Sequence, residues 1–261
     1  MQKEADKFVT SNIIEGMTSI RAILEAQNEQ YVTNNRKIIK ILFDFAKYGK
    51  IYKEVNYLRA KSYSLDFEVM ESCEEEIASL CLGNTHGGII AICGTRDIPE
   101  LKTSLQNIKN DGFYIMIQGI EDPYNFGYAL RSLYSCGATG VILPQRNWMS
   151  AAGVVCRASA GASELFDVYT SDALEAVDIF KELGYKIVCA DLNTDVDLHK
   201  SDLKLPVFLI VGGEKRGISK ALIEKSDVVV KIPYSRAFNA SLSAASAATI
   251  MGYEIMKQNL D

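Results

Sequence analysis

The sequence predicts an α/β protein whose C-terminal half is a parallel sheet covered by helices on both faces. Two observations carry this. Five apolar runs without alternation recur after residue 112: Phe113–Ile117, Gly140–Leu143, Lys186–Ala190, Val207–Val211 and Val228–Ile232. Helical patterns lie between them, such as Tyr128 to Cys136 and Ala173 to Leu183. Strands buried on both faces and alternating with helices mark a parallel sheet. A last helix is expected from about Ser241 to Lys257, with Ile250, Met251, Tyr253 and Ile255 on it and Asn239 and Ser241 as good N-cap types.

The first hundred residues read as a smaller α/β unit. Ile13, Ile14, Met17, Ile20, Ile23 and Leu24 recur at helical spacing, and Ser11 or Asn12 would cap that helix. Ile38, Ile39, Ile41, Leu42, Phe45 and Ala46 predict a second helix, ended by Gly49. Short strands follow, closing with Gly88–Cys93. The polar stretch around Pro99 reads as a linker with a short helix, so the expected domains are 1–98 and 112–261, joined by 99–111.

Composition excludes several classes. An apolar fraction of 48% and a charged fraction of 23% fit a chain that buries a real core, not a disordered or disulfide-stapled one. No apolar run approaches a membrane span, and Met1–Thr10 lacks the apolar centre of a signal peptide. The 6 cysteines form no Cys-x-x-Cys pair, and with only 2 histidines no metal site is expected. Buried free thiols and a cytoplasmic location follow as expectations.

Charge is distributed unevenly. The net charge of −5 by itself argues against a nucleic-acid partner. Yet Arg36 to Lys61 carries Arg36, Lys37, Lys40, Lys47, Lys50, Lys53, Arg59 and Lys61 against only Asp44 and Glu54. Pro123 to Ser163 contains Arg131, Arg146 and Arg157 and no acid. Such a run reads equally as a solvated face.

Three strand ends carry polar motifs, and ligands of open α/β sheets bind beyond the carboxyl ends of strands. After 113–117 come Asp122-Pro123-Tyr124-Asn125-Phe126-Gly127 and then Arg131 on a helix. After 207–211 comes Gly212-Gly213-Glu214-Lys215-Arg216-Gly217, which lacks the spacing of a Walker phosphate loop. After 228–232 come Pro233 and Ala237-Phe238-Asn239-Ala240-Ser241. Each alone also reads as a capped turn, a glycine turn or an N-cap.

In this order, the three motifs resemble those of the SpoU-type (TrmH-like) RNA ribose 2′-O-methyltransferases of the SPOUT superfamily. The match rests on Asp122, Pro123, Asn125, Gly127 and Arg131, then Gly212, Glu214 and Gly217, then Ile232-Pro233 with Asn239 and Ser241. Glu15-Gly16-Met17 and Thr85–Ile89 are similar to the family's small N-terminal substrate-binding domain. His86-Gly87-Gly88 departs from the usual His-Gln-Gly, and the third motif has Ala237 for Ser and Phe238 for Leu.

The resemblance implies a SPOUT domain with a deep C-terminal trefoil knot, S-adenosyl-L-methionine (SAM) as cofactor, and a homodimer whose interface forms the active site. It implies catalytic roles for Asn125, Arg131, Glu214 and Asn239, and SAM contacts from Gly212, Ile232, Phe238 and Ser241. The implied reaction is methylation of a ribose 2′-hydroxyl of structured RNA, ribosomal RNA before tRNA. Arg36, Lys37, Lys40, Lys47 and Arg131 are the expected RNA contacts, with no metal and no membrane. The altered third motif leaves an alternative, an RNA-binding protein of this fold without methyltransferase activity.

Overall fold

A computed structural model describes residues 12–27, 34–81, 83, 86–120, 122–144, 151–213 and 217–260. They fall into two compact units, one from Met1–Asp97 with Trp148–Leu165, the other from Ile98–Asn147 with Phe166–Asp261. This division differs from a continuous 112–261 domain, because 148–165 groups with the first unit.

In the first unit a four-stranded sheet runs in the order β1 (Ile13–Glu15), β4 (Ile89–Cys93), β2 (Ile38–Asp44), β3 (Glu68–Ser72). β4 is antiparallel to both neighbours, while β2 and β3 are parallel. A parallel pair needs a crossover, and helix α2 (Tyr48–Leu65) supplies it. Two expected helices are corrected by the structure. Ile13 and Ile14 belong to a strand, and helix α1 (Met17–Ala26) begins only after Gly16, whose φ of 81° breaks the chain direction. Ile38 to Asp44 is a strand as well. It is central and buried on both faces near its end, so it lacks the alternation that separates strand from helix. Gly49 sits inside α2 and does not end a helix.

A buried charge network holds α5 (Ala152–Ala158) and α6 (Ala162–Leu165) to this unit. The Glu164 carboxylate accepts from Arg36 Nε at 3.0 Å and Asn34 Nδ2 at 3.1 Å, and Arg96 lies 3.9 Å away. Burial alone would push this carboxyl up, but Arg36 and Arg96 hold it below the usual glutamate range. Arg157 pairs with Glu15 at 2.8 Å. Gly161 has a φ of 89°, and a Cβ there would lie 2.5 Å from the Ala22 side chain, so α6 approaches α1 closely.

The second unit is a six-stranded, all-parallel sheet in the order β10-β8-β9-β5-β6-β7. β5 (Phe113–Ile117), β6 (Gly140–Leu143), β8 (Lys186–Ala190) and β9 (Val207–Val211) lie where the apolar runs place them. β10 is shorter than expected, Val228–Val230. β7 (Asp167–Thr170) is an additional edge strand, too short and too polar at its ends to stand out as an apolar run. The core packs Tyr114, Phe180 and Phe208 with Ile187 and Ile210, with the Phe180 and Phe208 rings stacked at 4.3 Å. Helices α4 (Pro123–Ser135), α7 (Ala173–Glu182), α8 (Lys220–Lys225) and α9 (Ala244–Gln258) complete the unit. The 96–112 stretch carries two short 3₁₀ turns, Leu101–Thr103 and Leu105–Asn107, with Leu101 buried.

Three cysteines, Cys93, Cys156 and Cys189, are buried free thiols. Burial pushes Cys93 up to about 12 and Cys189 up to about 11. Among the described residues no helix is long and apolar enough to cross a membrane.

Candidate active site

The strand ends of the second unit build a pocket of about 440 Å³. Its walls come from the carboxyl ends of three adjacent strands: Ala190 and Asp191 after β8, Gly212 and Gly213 after β9, Lys231 and Ile232 after β10. Tyr234, Ser241 and Leu242 close one side, and Ala244, Ala247 and Met251 of α9 floor it. This is the place where an open parallel sheet binds its ligand.

Each wall has a local cause. The β8 loop is laid along β10: Thr194 Oγ1 donates to the Val229 carbonyl, Lys231 N–H to Val196, and Leu198 N–H to Lys231. The β9 loop turns back on itself through a Gly217 N–H bond to the Gly213 carbonyl, and Gly217 has a φ of 59°. A Cβ at Gly212 would lie 2.4 Å from the Gly217 backbone, and one at Gly213 would lie 2.8 Å from Gly119 Cα. Only glycines allow the loops after β5 and β9 to pack this tightly. After β10, the Tyr234 hydroxyl accepts the Leu242 N–H at 3.1 Å and bridges the ends of the 235–241 loop.

Of the expected cofactor residues, Gly212, Ile232 and Ser241 meet in this pocket. Phe238 does not. It is 61% exposed, with its ring 6.2 Å from that of Tyr234, and stands outside the pocket lining. Residues 235–240 are exposed, and Leu242 lines the pocket.

Of the expected catalytic residues, Asn125 and Arg131 stand on α4 and Asn239 on the 235–241 loop. Asp122 caps α4 by accepting the Tyr124 N–H at 2.8 Å, with Pro123 in the first turn. Asn125 is therefore in the first helical turn rather than in a loop, and Arg131 is in the third turn. Both are exposed, and Arg131 has no ion-pair partner among the described residues. Asn239 is exposed on the 235–241 loop and caps nothing; Ser243 caps α9 by accepting the Ser246 N–H. Glu214 lies outside the described residues.

Arg36 is removed from the expected RNA contacts. It is 1% exposed, bound to Glu164 and donating to the Gly94 carbonyl at 3.1 Å. Lys40 pairs with Glu68 at 3.5 Å, and Lys47 with Glu74 at 2.8 Å and Asp44 at 3.4 Å. Lys37 is exposed without an acidic partner among the described residues, as are Lys50, Lys53 and Lys61 on α2. Two tyrosines on the same helix, Tyr52 and Tyr63, are also exposed.

Sequence reasoning missed Asp191, Tyr234 and Leu242. The available signal was Asp-Leu-Asn directly after the buried 186–190 strand, a fourth strand end of the same kind as the three noted above.

Residues 112–253 match the family model described as SpoU rRNA Methylase. The chain belongs to this family. A Bacillus subtilis protein named for the TrmH family of tRNA/rRNA methyltransferases is 23% identical over 244 residues, 89% of this chain and 97% of that protein. A crystal structure of an rRNA methyltransferase from Sinorhizobium meliloti, bound to AdoMet, superposes with a TM-score of 0.78 at 20% identity, covering 99% of this chain and 95% of the other. An RNA 2′-O ribose methyltransferase structure superposes with a TM-score of 0.75 at 20% identity, covering 98% and 95%. At these identities the SpoU methylase shares its fold with both.

Proposed function

We propose that this SpoU-family protein uses SAM to methylate a ribose 2′-hydroxyl of structured RNA, ribosomal RNA before tRNA, as a cytoplasmic homodimer. The pocket at the ends of β8, β9 and β10, walled by residues of the family-matched segment, carries the reading. About 440 Å³ lies within the ~300–1,000 Å³ typical of small-molecule sites. Its lining combines apolar Val211, Ile218 and Met251, suited to an adenine, with backbone groups left accessible by the paired glycines. The residues present therefore fit SAM.

When bound, SAM supplies an electrophilic methyl group on a sulfonium. The protein's own task is to hold a 2′-hydroxyl in line and dry, and to stabilise the negative charge that develops on its oxygen. Arg131 suits charge stabilisation and orientation, because a guanidinium stays protonated and is a poor base. Asn125, Asn239 and Glu214 would orient Arg131 and the ribose. Arg131 and Asn125 line no wall of their own chain's pocket, which supports a site completed by a second copy. The exposed Tyr124 and Tyr128 of α4, and Ile250 and Tyr253 of α9, offer an apolar face for that partner. Gly252 lets these two helices pack closely, since a Cβ there would lie 2.9 Å from Leu133. The trefoil knot implied by the resemblance belongs to the same proposal, with the loops after β8, β9 and β10 as its wall around SAM.

RNA contact is assigned to Lys37 and the exposed side of α2, which carries Lys50, Lys53 and Lys61 as well as Tyr52 and Tyr63. Lysines neutralise phosphates and tyrosines stack on unpaired bases. Lys40 stays in the set, because its pair with Glu68 is a surface pair of little net strength that a phosphate can displace. Lys47 stays as a part-exposed ammonium, although the buried Asp44 also holds it.

The test is to map 2′-O-methylation across total RNA in cells with and without the protein. Loss of one site, restored by the wild-type gene and not by Arg131→Ala, is expected; an unchanged map counts against the reading. The exposure of Phe238 and Asn239 favours one second reading, RNA binding without catalysis. Absence of SAM binding at millimolar cofactor in calorimetry would select it.

A further inference from the structure

Asp191 is the carboxylate in the wall of the proposed SAM pocket, and neither the motifs nor the resemblance gives it a role. It stands at the first position after β8, on the rim where β8, β9 and β10 end side by side. Its backbone N–H donates to the Val230 carbonyl at 3.1 Å, which ties it to the edge of the sheet. One carboxylate oxygen, Oδ1, accepts the Asn193 N–H at 2.7 Å, a turn that fixes the side chain at the rim. Asp191 lines the pocket, and its carboxylate makes no ion pair among the described residues. It is only partly exposed, and the adjacent walls are apolar side chains and glycine backbone.

A carboxylate with one oxygen anchored, at a strand end beside a glycine loop, is suited to accept from neighbouring hydroxyls. In dinucleotide-binding sheets an acidic residue binds a ribose in this way. We propose that Asp191 accepts hydrogen bonds from the ribose hydroxyls of the bound adenosyl group. The assignment rests on the SAM reading and adds the group that would recognise the sugar. It also provides a specificity argument: an adenosyl ligand lacking those hydroxyls would leave a partly buried carboxylate unmatched, which disfavours it.

The test is calorimetry on the full-length protein with two ligands, SAM and 5′-methylthioadenosine. Both carry the ribose diol, and only SAM carries the α-ammonium and α-carboxylate. Asp191→Asn keeps an oxygen for the Asn193 turn and removes the charge; Asp191→Ala removes both. Asp191→Ala is expected to weaken both ligands by a similar factor, about tenfold or more for a lost charge-assisted bond, and Asp191→Asn by a smaller one. Thermal melting of the Asn variant should match the wild type, which separates a binding effect from a folding effect. Unchanged affinities in both variants overturn the proposal. A loss confined to SAM also overturns it and assigns Asp191 to the cationic part of SAM, its sulfonium or α-ammonium, instead. If the wild-type protein binds neither ligand, the cofactor reading falls and the assignment with it.

Discussion

Arg36 and Arg131 are both arginines in acid-poor stretches, yet one is 1% exposed just before a strand and the other is exposed on a helix. Arg36 belongs to a network with Glu164, Arg96 and Asn34 within the first unit, in which the Glu164 carboxylate lies 3.0 Å from Arg36 and 3.9 Å from Arg96. Arg131 has no acid to neutralise it among the described residues, and its helix starts where Asp122 and Pro123 cap it. The difference lies in partners far away in sequence. Glu164 is 128 residues from Arg36, and no local pattern announces that pairing. A buried arginine needs such a partner, because an unpaired buried charge is strongly unfavourable. An exposed arginine without one is free to meet a phosphate or a developing negative charge.

The largest effect that would break this contrast is at Glu164. Glu164→Ala should destabilise the first unit by about 3–5 kcal/mol, since it leaves Arg36 buried and unpaired. Denaturant unfolding measures this. Because the Glu164 pKa is lowered in the folded protein, its contribution is complete above the ordinary glutamate value of about 4.3 and is lost as pH falls through its own lower pKa. Wild-type stability should therefore drop at acid pH, and the drop should be smaller in Glu164→Ala. Equal acid sensitivity in both proteins would show that the network is not responsible.

Arg131→Ala probes the other side of the contrast. Methyl transfer should fall by about 10²–10³, with folding stability and SAM affinity unchanged. Turnover and calorimetry on the same preparation separate the two. A folding defect would place Arg131 with Arg36 as a structural residue.

Neutralising Lys37, Lys50, Lys53 and Lys61 together should weaken RNA binding without altering SAM binding. It should also lower the salt slope by about 0.7–0.9 for each phosphate that is no longer neutralised. RNA affinity measured across a salt series checks this, and an unchanged slope marks α2 as a solvated face. The smallest effect is Tyr234→Phe, which frees one end of the 235–241 loop. A lost hydrogen bond of about 1 kcal/mol corresponds to roughly fivefold weaker SAM binding.

The parallel sheet was legible because β5, β6, β8 and β9 are apolar runs set between helical stretches. β7 was not, being a four-residue edge strand that begins with Asp167 and ends with Thr170. In the first unit, periodicity misread Ile38 to Asp44, because a strand buried on both faces shows no alternation. The start of α4 was written in Asp122-Pro123, an N-cap followed by proline, although the helical pattern becomes clear only from Tyr128. The pocket was partly legible in Gly212, Ile232 and Ser241. Phe238 lies on an exposed loop, whose path motif order does not set. Asp191 escaped notice because its strand end carries no glycine or proline to mark it.

In the proposed function, the pocket and Arg131 together serve transfer of a methyl group to a ribose. The most direct measurement is incubation of the purified protein with methyl-labelled SAM and, separately, unmodified ribosomal RNA and unmodified tRNA, followed by digestion to nucleosides. Label in a 2′-O-methylnucleoside, abolished by Arg131→Ala, is the expected result. Label on a base, or a wild-type protein that binds SAM and transfers nothing to either RNA class, would contradict it.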